Sequence, residues 1–140
     1  MAADPHAGGK TLDDERIDLS ALLGEYRDEA RHQLDVLDAA LLELERAGAL
    51  SDPGSAEMLR ALHTLKGNSA MMGFGALRDA VHALEGVFRS PPPAWTEAEL
   101  DPLFITAAAL RAAVEHAGTD DEGASFERLT GAAATLPTPT

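Results

Sequence analysis

Apolar residues recur at spacings of three and four along most of the chain, and the pattern is interrupted at a few glycines and prolines. Leu19, Leu23, Tyr26, Ala30, Leu34, Leu37, Leu41 and Leu44 draw one stripe along a helix predicted from about Asp18 to Arg46. Gly48 and then Asp52-Pro53-Gly54 end it. A second helix is expected to start near Ser55, whose hydroxyl suits an N-cap, with Met58, Leu62, Leu65, Ser69 and Met72 as its buried stripe. Gly73-Phe74-Gly75 forces a tight reversal. The third helix then runs from about Ala76 to Phe88, with Leu77, Ala80, Val81, Leu84, Val87 and Phe88 facing inward, and Pro91-Pro92-Pro93 stops it.

The fourth helix carries two competing start signals. Thr96-x-x-Glu99 resembles a capping box, whereas Asp101-Pro102 offers a proline suited to the first helical position. Because a proline well inside a helix kinks it, the pattern favours a main helix from about Pro102 to Ala117 with a turn before it. Leu103, Ala107, Leu110 and Val114 would point inward and Gly118 would end the helix. A short, weak helix from Asp121 to Thr135 carries Phe126 and Leu129. Short connections favour antiparallel neighbours. The predicted fold is therefore all-α: an up-and-down antiparallel four-helix bundle with an appended short fifth helix. Residues 1–16, rich in Ala, Gly and Asp, are expected to be a disordered leader, with the bundle spanning residues 17–135. Leu136-Pro137-Thr138-Pro139-Thr140 looks like the start of a linker or tail. No internal repeat is visible.

Composition agrees with helices. Hydrophobic residues are 45% of the chain and aromatics only 4%, so Ala and Leu dominate the apolar set rather than strand-forming residues. The formal net charge of −13 repels nucleic acid and anionic membrane surfaces and suits a protein partner with a basic patch, as well as serving solubility. Without cysteine there is no disulfide or thiol chemistry. No apolar run approaches a membrane span and no signal peptide opens the chain, so a cytoplasmic location is the default expectation.

The stretch with chemistry in it is Leu62-His63-Thr64-Leu65-Lys66-Gly67-Asn68-Ser69-Ala70. Leu62, Leu65 and Ser69 belong to the core stripe. His63, Lys66, Gly67 and Ala70 fall at i, i+3, i+4 and i+7 and share another face. Gly67 costs about 1 kcal/mol relative to alanine inside a helix, and it clears space one turn beyond the imidazole for a partner or a phosphoryl group. Lys66 and Lys10 are the two lysines of the chain, and an ammonium is a compact charge suited to phosphate oxygens.

The third helix carries Arg78, His82, Glu85 and Arg89 on its polar face. Positions equidistant from the reversal lie level, so His63 should face Leu84 and Glu85 while Lys66 faces Val81 and His82. A carboxylate accepting a hydrogen bond from Nδ1–H would fix the imidazole tautomer and leave Nε2 free to attack phosphorus. Glu85 is the candidate for that role, Lys66 for neutralising phosphoryl oxygens, and His82 for tuning the pair. Both Glu85 and Lys66 are expected at the surface. Arg78 and Arg89 are candidates for steering a partner.

The run from His63 to Ala70, closed by Gly73 and followed by Leu84-Glu85, resembles histidine-containing phosphotransfer (HPt) domains. The resemblance implies a phosphoacceptor at His63, Lys66 beside the phosphoryl group, and Gly67 with Ala70 as the access positions. A closer likeness is to the N-terminal HPt domains of CheA-type chemotaxis histidine kinases. These have a second histidine placed like His82, an aromatic like Phe74, and a first helix ending in a run like Leu41-Leu42-Glu43-Leu44-Glu45. In that subgroup the two histidines, the lysine and the glutamate form one hydrogen-bonded network. Asn68-Ser69 departs from the small residues frequent there and is more like phosphorelay HPt domains. The implied partners are an ATP-binding histidine kinase domain, in the same chain or another, and an aspartate-bearing receiver domain. No cofactor or metal is expected on this domain itself, with ATP and Mg²⁺ belonging to the partners. A standalone phosphorelay carrier is the alternative. More remote are a non-phosphorylated helical adaptor and a metal-binding bundle suggested by Glu29-x-x-His32, which lacks the second such motif a carboxylate-bridged site needs. No nucleotide loop or paired acidic site indicates an autonomous enzyme.

Overall fold

The structure, a computed structural model, describes residues 12–138, with side chains from Leu19 onward. It consists of α1 (Leu12–Ala47), α2 (Asp52–Met71), α3 (Gly75–Arg89), α4 (Glu97–His116) and α5 (Glu122–Ala133). Successive helices α1, α2 and α3 pack side by side, α4 closes the ring against α1 and α3, and α5 lies on α3 and α4. The connections are short, so neighbours alternate in direction. This is the expected four-helix bundle with a fifth helix added.

The core is an aliphatic column. Leu34, Leu37, Leu41 and Leu44 of α1 meet Met58, Leu62 and Leu65 of α2, Leu77 and Leu84 of α3, and Leu103 and Leu110 of α4, all essentially inaccessible. Each such side chain contributes roughly 1.5–3 kcal/mol on leaving water. Leu19, expected at the head of the α1 stripe, is instead exposed, because the neighbouring helices give no cover at that level.

Three boundaries differ from the sequence expectation. Helix α1 begins at Leu12, so residues 12–16 are helical rather than part of a leader, while residues 1–11 lie outside the described residues. Helix α2 begins at Asp52, not Ser55. Ser51 is its N-cap, accepting a hydrogen bond from the Gly54 amide at 3.1 Å, and Pro53 sits in the first turn, where it removes no needed hydrogen bond. Helix α4 starts at Glu97 and contains Pro102. The Thr96 amide donates to the Glu99 carboxylate at 3.1 Å, and burial of Leu100 draws this first turn onto the core. The carbonyl that Pro102 leaves without a donor belongs to exposed Ala98, within reach of water.

The α2–α3 reversal is closed by backbone hydrogen bonds. Gly73 has φ +80°, its amide bonds the Ala70 carbonyl at 3.1 Å, and the Phe74 amide bonds the Ser69 carbonyl at 2.9 Å. This pair of bonds around a left-handed glycine is a Schellman termination. Phe74 packs edge-on between Tyr26 and Phe126, with ring centroids 5.3 and 5.8 Å away, and the Tyr26 hydroxyl meets that of buried Ser69 at 2.8 Å. The hairpin is thereby tied to both α1 and α5, which fixes the height at which α2 and α3 face each other.

Ion pairs fasten α1 to α4. The Arg31 guanidinium grips Glu115 through two bonds of 2.7 and 2.8 Å, and Arg111 reaches Asp35 and Asp38 at 2.9 and 2.7 Å. Arg27 donates to the Val114 carbonyl at 3.3 Å and to the Ala117 carbonyl, satisfying groups left over at the end of α4.

Candidate functional site

His63 projects from the middle of α2 with 72% of its side chain exposed. Leu62 and Leu65 on either side are fully buried, so the helix cannot rotate and the imidazole must face solvent. Gly67 and Ala70 follow on the same exposed face. A Cβ added at Gly67 would meet nothing within 4 Å, so the glycine answers to no packing demand inside the bundle and leaves open surface one turn from the ring.

Beneath the imidazole lies Glu85 of α3, and its side chain is fully buried. This corrects the expectation that Glu85 would lie at the surface. It sits four residues after Val81 and three before Phe88, on the edge of the inward stripe, so the packing of α3 carries it under the α2 helix. A buried carboxylate needs compensation. Lys66 supplies it, with Nζ 2.6 Å from Oε1 and only 22% of its side chain exposed. The contact lies outside hydrogen-bond alignment and leaves Oε1 without an aligned donor. Arg89, one turn further along α3, donates to Oε2 at 3.1 Å.

His63 Nδ1 faces the same Oε2 at 3.9 Å, close enough for electrostatic coupling and too far for a hydrogen bond. The expected Nδ1–Glu85 hydrogen bond is therefore open in this arrangement, as such bonds often are before the reacting group is bound. Lys66 faces Glu85 rather than His82. His82 is exposed and makes no hydrogen bond or ion pair among the described residues, so the expected network does not pass through it. It leaves α3 on the solvent side, while its neighbour Val81 turns into the core, and Arg89 occupies the place in the network foreseen for it.

The remaining site residues separate. Arg78 is half exposed and paired with Asp79 at 2.9 Å. Arg89, read from sequence as a docking residue, belongs to the Glu85 cluster instead. With Leu59, Arg60 and Thr64 it lines a shallow groove that includes His63. Arg60 was not singled out from sequence, although its position three residues before His63 places it on the same face. Glu29 and His32 are exposed on α1, and no group of three potential ligands for a metal ion occurs among the described residues.

Fold and site together place the chain among helical bundles that present one exposed imidazole above a buried, cation-held carboxylate. The family model of the Hpt domain matches residues 21–120, and the chain belongs to that family. It is similar to the chemotaxis protein CheA of Listeria monocytogenes, 33% identical over 111 residues that make up 74% of this chain and 17% of that protein. It is also similar to CheA of Borreliella burgdorferi, 38% identical over 71 residues, 48% of this chain and 8% of that one. The chain thus spans a small part of these relatives' length. Among solved structures, it shares its fold with the phosphorylated P1 domain of CheA3 from R. sphaeroides, solved in complex with CheY6. The TM-score is 0.61 and the identity 24%, with 84% of this chain and 98% of that one covered.

No helix among the described residues is long and apolar enough to cross a membrane.

Proposed function

We propose that this domain accepts a phosphoryl group on His63 from an ATP-binding histidine kinase domain and passes it to an aspartate of a receiver domain. The setting would be the cytoplasmic N-terminal part of a CheA-like chemotaxis kinase. The observation that carries the reading is the exposed imidazole whose Nδ1 stands 3.9 Å from a fully buried carboxylate. Closing that gap gives Nδ1–H an acceptor, holds the tautomer with the Nε2 lone pair outward, and steadies the positive charge that develops as Nε2 attacks phosphorus.

Lys66 supports the same reading. Its ammonium carries three N–H donors, and the contact with Glu85 Oε1 occupies no more than one of them, so the others are available to phosphoryl oxygens. Open surface at Gly67 and Ala70 lets a second protein bring its own reacting group to the imidazole. ATP would bind the kinase domain and Mg²⁺ the receiver. Likeness to CheA proteins favours the kinase setting, and the P1–CheY6 complex of the structural neighbour favours a receiver partner.

The test is to incubate the chain with the ATP-binding kinase domain of a CheA protein and labelled ATP. Acid-labile label on the wild type that disappears in His63→Gln is expected, followed by loss of label on adding a receiver domain. Equal label in both proteins would remove His63 from the reaction.

A further inference from the structure

Two cations hold the Glu85 carboxylate, and they do so differently. Lys66 occupies Oε1 from the neighbouring helix. Arg89 donates one N–H to Oε2 at 3.1 Å, the oxygen that His63 Nδ1 faces at 3.9 Å. While the guanidinium sits there, one oxygen is claimed by two donors, and the imidazole is the one left out of hydrogen-bond range. Arg89 is also 57% exposed and lines the groove that contains His63. It therefore reaches from the buried carboxylate to the space beside the ring.

The charges point the same way. One carboxylate faces two cations, which leaves the Lys66–Glu85–Arg89 cluster with an excess positive charge in a chain of net charge −13. A guanidinium offers five N–H donors in a planar fork that matches phosphate oxygens, and Glu85 engages one of its nitrogens. The excess charge and the unused donors both lie at the groove.

Resting on the phosphoacceptor reading of His63, we propose that Arg89 is a second phosphoryl-binding residue that changes partner during the reaction. When Nε2 acquires the phosphoryl group, the guanidinium leaves Oε2 of Glu85 for the phosphoryl oxygens. The vacated Oε2 then accepts the hydrogen bond from Nδ1–H. Lys66 holds Glu85 in place throughout, so the exchange needs no movement of helices.

The experiment uses phosphoramidate, which requires no partner protein. The Nε2 lone pair forms the new N–P bond, the donor's P–N bond breaks, its nitrogen leaves as ammonia, and the ring keeps its Nδ1 proton. Nitrogen and phosphorus NMR of the chain before and after phosphorylation then read the guanidinium directly, with Arg89→Lys identifying its signals by their loss. On phosphorylation the Arg89 N–H signals are expected to shift and to show coupling to phosphorus through the hydrogen bond. Guanidinium signals that stay where they were, without coupling to phosphorus, overturn the proposal, because a residue that merely steadies Glu85 keeps its bond to Oε2. Should Arg89→Lys fail to fold by circular dichroism, the signals are assigned through the backbone of the wild type and the same two outcomes decide. Failure of the wild type to be labelled on His63 would instead strike the phosphoacceptor reading.

Discussion

Lys66 Nζ stands 2.6 Å from Oε1 of Glu85, and the two are unequally exposed: 22% of the lysine side chain meets solvent and none of the glutamate does. Removing either partner therefore has different consequences. Glu85→Gln leaves an ammonium that can turn toward water, whereas Lys66→Met leaves a buried carboxylate held by Arg89 alone. Breaking a fully buried pair costs about 3–5 kcal/mol, and the partial exposure of both cations lowers that figure. We expect Lys66→Met to lose about 1–2 kcal/mol and Glu85→Gln clearly less. Denaturant unfolding followed by the fluorescence of Trp95, which packs against Phe88, gives the comparison. Equal losses would contradict the asymmetry. Kinase-dependent labelling should fall roughly tenfold in both variants, since each disturbs the group that orients the imidazole.

Gly67 allows access to be separated from stability. An added side chain there meets open space, so Gly67→Gln should keep the fold and gain up to about 1 kcal/mol from better helix propensity. A partner approaching His63 would meet the new side chain, and transfer to a receiver should slow roughly tenfold or more. Small-molecule phosphorylation by phosphoramidate, which needs no protein approach, should continue. An unchanged receiver transfer rate would show that partners reach His63 from elsewhere.

The face bearing His63, Lys66, Gly67 and Ala70 was legible because helical spacing alone determines it once Leu62, Leu65 and Ser69 are assigned to the core. The level of Glu85 opposite His63 followed from distance to the hairpin turn. Burial of Glu85 did not, since a charged residue counts as polar in any hydrophobic pattern, even between Leu84 and Val87 on a buried edge. The role of Arg89 depended on that burial and was hidden with it. Helix α4 was misread because the proline penalty at Pro102 outweighed the capping signal at Thr96, while burial of Leu100, a tertiary effect, decided the start. Asp52-Pro53-Gly54 looked like a break between helices, although a proline in a first turn is equally a beginning.

Tyr26 gives a pH dependence that can be observed directly, because it is the single tyrosine of the chain. Burial raises its phenol above the ordinary value of 10.0, and the hydrogen bond with Ser69 partly opposes this. The unfolded chain thus gives up the proton more readily than the folded one. Stability linked to Tyr26 is intact below pH 10.0 and declines as pH rises toward the folded-state value. Ultraviolet titration of the native protein should show tyrosinate appearing later than in the denatured chain. Tyr26→Phe should flatten the alkaline decline. Near neutral pH it should cost about 1 kcal/mol, limited by the freedom of the Ser69 hydroxyl to bond its own helix. Native and denatured titrations that coincide would contradict the burial.

His82 offers the sharpest contrast with the sequence expectation. Spacing and family likeness put a second imidazole in the network around His63. In the structure it is exposed, without a hydrogen bond or ion pair among the described residues, while Arg89 bonds Glu85 in its stead. A solvent-facing side chain with no partner contributes within about 0.5 kcal/mol, which is about twofold in rate. His82→Ala should therefore keep labelling of His63 by the kinase within about twofold of wild type, whereas Lys66→Met and Glu85→Gln slow it roughly tenfold. The three variants measured side by side at one kinase concentration make the comparison. A tenfold loss in His82→Ala would mean that the imidazole turns inward when the kinase docks, and that the resting positions of Lys66 and Arg89 do not by themselves define the working site.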